Sequence, residues 1–206
     1  MRAYESPLRS AQAAQTRTRI LEAAGALFAE AGYSGTSLAQ IAARAGVSVE
    51  TVKLHGPKSS LLIAAFDQAF TGQEGEGAIH ERDLGRELAA APDDALLEGY
   101  IGFIAEANVR ASELWLTVQT AALSDPAIRA AHDAVQSRRR SDFDQSIVLF
   151  RERGLLHSTR PPGELAAALS FLVSPSSYLE LVVGSGWTLQ TYKEWLADTI
   201  RRVILN

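Results

Sequence analysis

Apolar residues recur at intervals of three and four positions along most of the chain, which is the period of an amphipathic helix. The clearest apolar face consists of Ile20, Leu21, Ala24, Leu27, Phe28 and Ala31. It predicts a first helix from about Arg17 to Ala31, with Gly32 as its C-terminal stop. Further helices are predicted at 58–70, 92–111, 112–123, 126–154 (expected to be the longest), 161–183 with a kink or a division at Pro175, and 188–205. Because no convincing hairpin pattern occurs, the predicted fold class is all-α.

Residues 37–55, SLAQIAARAGVSVETVKLH, have the spacing of a helix-turn-helix. Ser37 and Gln40 form a predicted capping box at the start of the first helix, and Ser48 can cap the second. Gly46 stands where the chain must reverse, a turn that favours a positive φ and therefore glycine. Ala42 is small enough for a second helix to cross above it. The apolar residues expected to lock the two helices together are Ile41, Val47 and Val52.

Composition changes this picture in two ways. The 206 residues include no cysteine, which excludes disulfides and thiolate chemistry, and no apolar segment has the length of a signal peptide or a membrane span. We therefore expect a cytoplasmic protein that has no contact with membranes.

The net charge of −4 is unevenly distributed along the chain. Residues 1–62 hold seven basic and four acidic residues, whereas the remainder holds thirteen basic and twenty acidic residues. A basic end can approach phosphates while an acidic body faces away from them.

The segment TRTRILEAAGALFAEAGYSGTS resembles the first helix and turn of the tetracycline-repressor (TetR) family of transcriptional regulators. The matching elements are Phe28, Gly32-Tyr33, Thr36-Ser37, Ile41-Ala42 and Ala45-Gly46-Val47-Ser48, followed by GPKSSLL. The C-terminal segment GWTLQTYKEWLADTIRRVIL is similar to the last helix of many members. The resemblance implies a three-helix, helix-turn-helix DNA-binding domain followed by a larger helical bundle for ligand binding and dimerisation.

Three regions follow from this comparison and from the pattern. Residues 1–15 lack a stable period and are expected to form a flexible arm. Residues 16–62 form the predicted DNA-binding domain, and residues 63–206 form the predicted effector-binding and dimerisation domain. The implied function is that of a homodimeric repressor, which binds a pseudo-palindromic double-stranded DNA operator and is released by a small molecule.

The predicted DNA-binding residues lie in and beside the helix-turn-helix: Thr36, Ser37, Ser48, Val49, Glu50, Thr51, Lys53, His55 and Lys58. Of these, Thr36, Ser37 and Lys58 are candidates for phosphate contacts. Four residues of the second helix are placed to meet the major groove: Val49, Glu50, Thr51 and Lys53. Glu50 can accept a hydrogen bond from cytosine or repel the DNA backbone. Stabilisation of the helix dipole by its carboxylate is compatible with either role. Family members usually carry Tyr-x-His-Phe at this helix end. Here the stretch KLHGPK lacks those aromatic residues.

The predicted body holds residues that fit either a packed core or an effector cavity for an apolar or aromatic compound. The candidate cavity residues are Tyr100, Phe103, Trp115, Gln119, Phe143 and Phe171. The run Arg138, Arg139 and Arg140 can bind an anion, although a solvated stretch of a long helix is the simpler interpretation.

The segment from Leu165 to Val183 is apolar on every side of a helix, so it must be buried on every side. A second subunit supplies that burial most simply, and the family resemblance implies pairing of the last two helices across a two-fold axis. The residues predicted to lie in this interface are Leu172, Leu179, Leu181, Val182, Trp195 and Ile200.

No pattern in the sequence favours an enzyme. The four histidines are scattered, and no nucleophile elbow, phosphate loop or dinucleotide fingerprint occurs. We therefore predict no catalytic residue, no metal site and no cofactor. The alternative to a DNA-binding regulator is a helical ligand-binding or protein-interaction module whose DNA reader has degenerated, which the unusual KLHGPK stretch suggests.

Overall fold

The computed structural model describes residues 7–72, 74, 75 and 77–206, and within these ranges it contains helices and no strands. The all-α prediction is therefore confirmed. The helices are α1 (Pro7–Gly35), α2 (Leu38–Ala45), α3 (Val49–Leu54), α4 (Lys58–Thr71), α5 (Asp83–Ala89), α6 (Asp93–Ala122), α7 (Pro126–Glu152), α8 (Pro162–Leu172), α9 (Pro175–Tyr178) and α10 (Leu189–Ile200). A 3₁₀ turn at Ile79–Glu81 precedes α5, and wide π-type turns at Leu179–Gly184 and Arg201–Leu205 extend α9 and α10.

The first helix is longer than its apolar stripe predicts. It begins at Pro7, so residues 7–15 of the expected arm are helical, whereas residues 1–6 lie outside the described residues. Alanine and glutamine, which dominate 11–15, favour a helix even without an apolar face. Gly32 has φ 69° and ψ 177°, a conformation that glycine alone adopts readily, and one further turn ends at Gly35. The regular helix therefore stops at the predicted glycine.

The first three helices share a core with the beginning of α4. Helix α1 packs against α2 and α4, and the side chains of Phe28, Ile41, Val52 and Leu61 are fully buried. Helix α4 then continues and packs against α6 and α7. The predicted domain boundary at residue 62 therefore falls inside a continuous helix that belongs to both regions.

Helix α6 is the central helix of the body. It contacts α1, α4, α7, α9 and α10, and its Thr117 hydroxyl donates a hydrogen bond to the carbonyl of Phe28 in α1 over 3.2 Å. The sequence predicts two helices here, but no proline or glycine lies at residues 111–112, so the helix runs on unbroken. With 30 residues it exceeds the 27 of α7, and the prediction that α7 is the longest helix is wrong.

The segment after α7 divides at Pro175 as predicted. One side of it packs inside the body, where Leu165, Leu169 and Val173 are buried. On other sides Phe171 is 74% exposed and Val183 is 63% exposed. No single helix in the described part of the chain is long and apolar enough to cross a membrane, although α8 and the bent segment from Pro175 to Gly184 meet the length and composition criteria as a pair.

The 3₁₀ turn and α5 form a short layer that the sequence pattern does not predict. Gly85 allows this layer to pack, because a Cβ atom at this position would lie 2.1 Å from the carbonyl oxygen of Ile79. The two short elements then cover one side of α6 and α7. They form a wall of the cavity described below.

Candidate functional site

The turn between α2 and α3 is built by short-range hydrogen bonds. Ser37 Oγ accepts from the backbone N–H of Gln40, whose side chain in turn accepts from the backbone N–H of Ser37 over 2.8 Å. Gly46 has φ 67° and ψ 38°, the left-handed conformation expected for a helix stop. Ser48 Oγ accepts from the backbone N–H of Thr51 over 3.0 Å and thereby caps α3. The capping box, the glycine turn and the second cap are therefore all present.

Buried apolar contacts hold α2 and α3 in a fixed relation. Ile41, Ala42 and Val52 are almost fully buried, whereas Val47 packs at the edge of the core and stays half-buried. With Val52 facing inward, the other side of α3 points to solvent. That side carries the residues predicted to meet bases.

The outer side of α3 is polar but electrically balanced. Glu50 and Lys53 are exposed and form an ion pair with 3.5 Å between Oε1 and Nζ. The Ser48 and Thr51 hydroxyls lie 2.9 Å apart, and Val49 is half-buried. The ion pair uses one of the three donors of the Lys53 ammonium group and is exposed, so Lys53 can still donate to DNA.

Leu54, at the end of α3, is 87% exposed, and sequence reasoning did not select it. An exposed large apolar side chain on the outer side of a helix-turn-helix is a candidate contact for a thymine methyl group. The signal in the sequence was its place between Lys53 and His55 in the unusual KLHGPK stretch.

Thr36 does not lie where a phosphate contact requires it. Thr36 is 2% exposed. Its hydroxyl oxygen lies 2.9 Å from the carbonyl oxygen of Gly32 and 3.1 Å from that of Leu27, and its one hydrogen is donated to these acceptors. Gly32 leaves the helical conformation at this end of α1, and the Thr36 hydroxyl bonds across that break. The prediction of a phosphate contact through the Thr36 side chain is therefore wrong, since this residue closes the end of α1. Ser37 remains exposed.

Lys58 joins the start of α4 to the end of α1. Its Nζ donates to the carbonyls of Tyr33 and Thr36, each over 2.9 Å, and lies 4.1 Å from the centroid of the Tyr33 ring. An ammonium group has three donors. Lys58 can therefore still donate to a phosphate while it holds this turn.

His55 ends α3 and is half-buried, and its backbone carbonyl has a structural role. The Arg17 guanidinium donates to that carbonyl over 2.9 Å and pairs with the carboxylate of Glu74, which lies beyond α4. This pairing lowers the pKa of Glu74. Sequence reasoning missed Arg17, because nothing local connects three segments so far apart.

A cavity of about 280 Å³ lies among α4, α5, α6 and α7. Of the six predicted cavity residues, Tyr100, Phe103 and Phe143 lie in its wall, together with Phe70 from α4. Burial raises the pKa of Tyr100, so its hydroxyl stays protonated over the accessible pH range. The exposed residues around the cavity are Arg86, Gln145, Val148 and Glu152, which place its opening beside α5 and α7.

The other three predicted residues do not line this cavity. Trp115 is 3% exposed and packs in the core with Phe66 and His132, whose ring centroids lie 5.0 and 5.2 Å away. Gln119 is half-buried outside the lining. Phe171 is 74% exposed, so its assignment to an internal pocket is wrong. All six predicted residues fit helical spacing in the sequence, and this spacing does not distinguish a cavity wall from the core or the surface.

Polar groups stand at one side of the cavity. Asp142 Oδ1 accepts from the backbone N–H of His80 over 2.9 Å and lies 2.8 Å from its Nδ1. Arg139 also lines the wall, and burial lowers its pKa. Within the described residues no group of three or more histidine, aspartate or glutamate side chains could hold a metal ion.

The predicted interface residues divide into two groups. Five of them are half-buried, which is typical of apolar side chains on a face that is partly exposed in a single chain: Leu172, Leu179, Leu181, Val182 and Trp195. Ile200 is 0% exposed within one chain. Its assignment to a subunit interface is therefore wrong, because it already packs in its own core. Phe171 and Val183 add apolar surface that the prediction did not include.

Residues 20–55 match the sequence model described as bacterial regulatory proteins, tetR family. The resemblance to the TetR family is confirmed. The match covers most of α1 and the whole helix-turn-helix, which is the part of the chain that carries the caps and the turn described above. No curated protein matches the chain.

Solved structures with the same TetR-family fold cover nearly all of the chain. A protein described as a TetR-family regulator from Rhodococcus sp. is 20% identical, with a TM-score of 0.72 over 93% of this chain and 99% of that one. A transcriptional regulator from Saccharomonospora viridis in complex with choline is 23% identical, with a TM-score of 0.66 and coverages of 93% and 98%. NalD, the secondary repressor of the MexAB-OprM multidrug efflux pump in Pseudomonas aeruginosa, is 22% identical, with a TM-score of 0.65 and coverages of 93% and 96%.

Proposed function

We propose that this protein is a ligand-responsive transcriptional repressor, which binds a pseudo-palindromic operator as a homodimer and leaves it when a small molecule binds. The observation that carries the proposal is the capped helix-turn-helix, whose α3 turns Val52 inward and presents Ser48, Glu50, Lys53 and Leu54 to solvent. A short helix held in this way fits the major groove of DNA. Such a role belongs to the cytoplasm, where bacterial DNA lies.

Phosphate contacts are expected at the edges of this surface. Lys58 keeps one donor for a phosphate, and the exposed Ser37 stands at the start of α2. The excess of basic residues in 1–62 favours approach to DNA by this end of the chain.

Dimerisation would use the partly exposed apolar face of α8, the bent segment after it and α10. Phe171, Leu181, Val182 and Val183 supply apolar surface there, with Trp195 beside them. An obligate interface buries roughly 2,000 Å² or more in total and is largely apolar. Two-fold symmetry in the protein then implies two matching half-sites in the operator.

Helix α4 offers a physical connection between effector and DNA. Its first residue, Lys58, holds the end of α1, and Phe70 near its other end lines the cavity. Fourteen residues of helix span about 21 Å. A ligand that displaces Phe70 would tilt α4 as a rigid helix. The distance between the two DNA-reading α3 helices of a dimer would then change. A tenfold loss of DNA affinity requires about 1.4 kcal/mol of preference for the displaced state.

The test of the core proposal is selection of duplexes from a random DNA library by the purified protein at low salt. We expect enrichment of one sequence with two related half-sites. Lys58→Ala should weaken binding across many sequences and lower the salt slope by about one per subunit, whereas Thr51→Ala should change the preferred bases. Failure to enrich any sequence would contradict the regulator function.

A second candidate function is a helical interaction module with a degenerate DNA reader. The Glu50–Lys53 ion pair favours it, because it neutralises the cation nearest the major groove, and so does the exposed Leu54. This alternative predicts no salt-dependent DNA binding. The library selection therefore separates the two candidates.

A further inference from the structure

The guanidinium of Arg139 lies in the cavity wall and has no hydrogen-bond acceptor among the residues that the structure describes. Its Nε atom is buried and has no hydrogen-bond partner in the described part of the chain, nor does a carboxylate there lie within ion-pair distance of the group. The Trp115 and Phe143 ring centroids lie 5.7 and 5.5 Å away. Guanidinium groups keep their charge in proteins, so a positive charge with unused donors lines the cavity.

Position on the helix distinguishes Arg139 from its neighbour. Arg140 is exposed, as expected for a solvated stretch, whereas Arg139 turns toward α6 and meets Trp115. Burial lowers the pKa of Arg139 because water no longer stabilises its charge there. Aromatic faces compensate part of this loss, but they accept no directed hydrogen bond from Nε.

The carboxylate of Asp142, which also lines the cavity, is hydrogen-bonded to His80 and not to Arg139. Asp142 Oδ1 receives the backbone N–H of His80 and lies beside its ring nitrogen, which leaves the carboxylate engaged with the 3₁₀ turn. The rest of the wall is mostly apolar, with Leu96, Phe103 and Ile104 from α6. The cavity thus combines a mostly apolar wall with a guanidinium that has no hydrogen-bond acceptor among the described residues, while the nearby Asp142 carboxylate stabilises its charge only through space and so favours a higher Arg139 pKa.

We propose that the cavity binds a compact monocarboxylic acid with an apolar aromatic or aliphatic body, and that Arg139 receives its carboxylate. The planar fork of a guanidinium matches the two oxygens of a carboxylate, and the apolar body replaces water against the aromatic wall. This inference rests on the proposed function in naming the class of effector. It narrows the expected apolar or aromatic compound to one with an anionic end.

The first test is calorimetric titration of the full-length protein, without DNA, against two matched series of probes. One series is 2-naphthoate, 2-naphthamide and 2-naphthylmethylammonium, and the other is decanoate, decanamide and decylammonium. We expect the acid to bind at least tenfold more tightly than its amide in one or both series, and the ammonium compound to bind more weakly than the amide. Equal affinity of acid and amide, tighter binding of an ammonium compound, or no binding of either acid would overturn the proposal.

The second test changes the residue. Arg139→Met should lower the affinity for the bound acid by roughly tenfold to a hundredfold, the usual effect of a lost charge-assisted hydrogen bond, and leave the affinity for the amide nearly unchanged. Arg139→Lys should lie between, and Arg140→Met is the matched control, expected to bind like the unaltered protein. Arg139→Met with undiminished acid affinity would refute the assignment.

Circular dichroism establishes whether each variant is folded. If Arg139→Met does not fold, the ratio of the affinities of the unaltered protein for the acid and for the amide decides the proposal. DNA selection without any ligand is unaffected by these outcomes. A failed acid preference with a successful selection would therefore reject the ligand class and keep the DNA-binding function.

Discussion

The guanidinium of Arg17 donates a hydrogen bond to the backbone carbonyl of His55 over 2.9 Å. Because His55 ends α3, this bond ties the exit of the proposed DNA-reading helix to α1. The same guanidinium pairs with the carboxylate of Glu74, with 2.5 Å between Nε and Oε2. One side chain thus joins α1, the end of α3 and the segment that leads from α4 toward the cavity wall.

Arg17→Met should weaken DNA binding, because the end of α3 loses its anchor. Loss of one hydrogen bond of this kind costs about 1 kcal/mol, or roughly a fivefold change in affinity for the selected duplex. The exposed Arg19 in the same helix supplies the control, since Arg19→Met removes an equal charge without removing the contact. Fluorescence anisotropy measures both. Equal affinities of the two variants would show that the contact to His55 has no part in DNA binding.

The pair of Arg17 and Glu74 should make stability depend on pH. The hydrogen bond from Arg17 is the main cause that lowers the pKa of Glu74 in the folded protein. A lowered carboxyl pKa stabilises the fold at pH values above the unfolded pKa, and this contribution is lost as pH falls through the folded pKa. The stability difference between the unaltered protein and Glu74→Gln should therefore shrink between about pH 5 and about pH 3. Urea unfolding at each pH measures it, with the exposed Glu22→Gln as control, and a constant difference would contradict the prediction.

Thr36→Val should destabilise the protein. The substitution keeps the shape of a buried side chain but removes the hydroxyl that lies 2.9 and 3.1 Å from two carbonyl oxygens at the end of α1. Removing one partner of a buried hydrogen bond costs about 1–3 kcal/mol. Thr18→Val, at an exposed position of α1, is the matched control and should change the free energy of unfolding little. Chemical denaturation that finds both variants equally stable would disprove the proposed role of Thr36.

Charges introduced at the proposed interface should dissociate the dimer or cause aggregation. Leu181→Glu or Val182→Glu would place a carboxylate on the apolar face, where burial against a second subunit strongly disfavours it. Leu123→Glu is the control, because Leu123 is 78% exposed at the end of α6 and is not one of the proposed interface residues. Light scattering at micromolar concentration gives the mass. An unaltered protein that is monomeric and well folded would refute the proposed assembly.

Gly85→Ala should destabilise the wall of the cavity. The added methyl group would meet the carbonyl oxygen of Ile79 at 2.1 Å, so α5 must move away from the 3₁₀ turn at a cost of about 1–3 kcal/mol. Gly99→Ala is the control, since no neighbouring atom lies within 4 Å and α6 should gain up to about 1 kcal/mol in helix propensity. Thermal unfolding should shift in opposite directions for the two variants. A Gly85→Ala protein at least as stable as the unaltered one would contradict this packing.

The sequence alone determined the features that form within a few residues. A capping box joins Ser37 to Gln40, a cap joins Ser48 to Thr51, and Gly46 adopts a conformation that depends on its missing Cβ. Such interactions need no distant partner, so their residue types and spacing are enough to predict them. The helix-turn-helix and the family resemblance follow from these local features and from the spacing of the apolar residues.

Tertiary structure decided which of several equivalent apolar or charged positions face the core, the cavity or solvent. Phe143 lines the cavity while Phe171 is exposed, and Ile200 is fully buried within one chain, although helical spacing permits any of these environments. Arg139 differs from Arg140 because Trp115, on another helix, covers it. Periodicity defines a face of a helix but not the neighbour that meets it, since that neighbour comes from a distant segment and is fixed by the packing of whole helices.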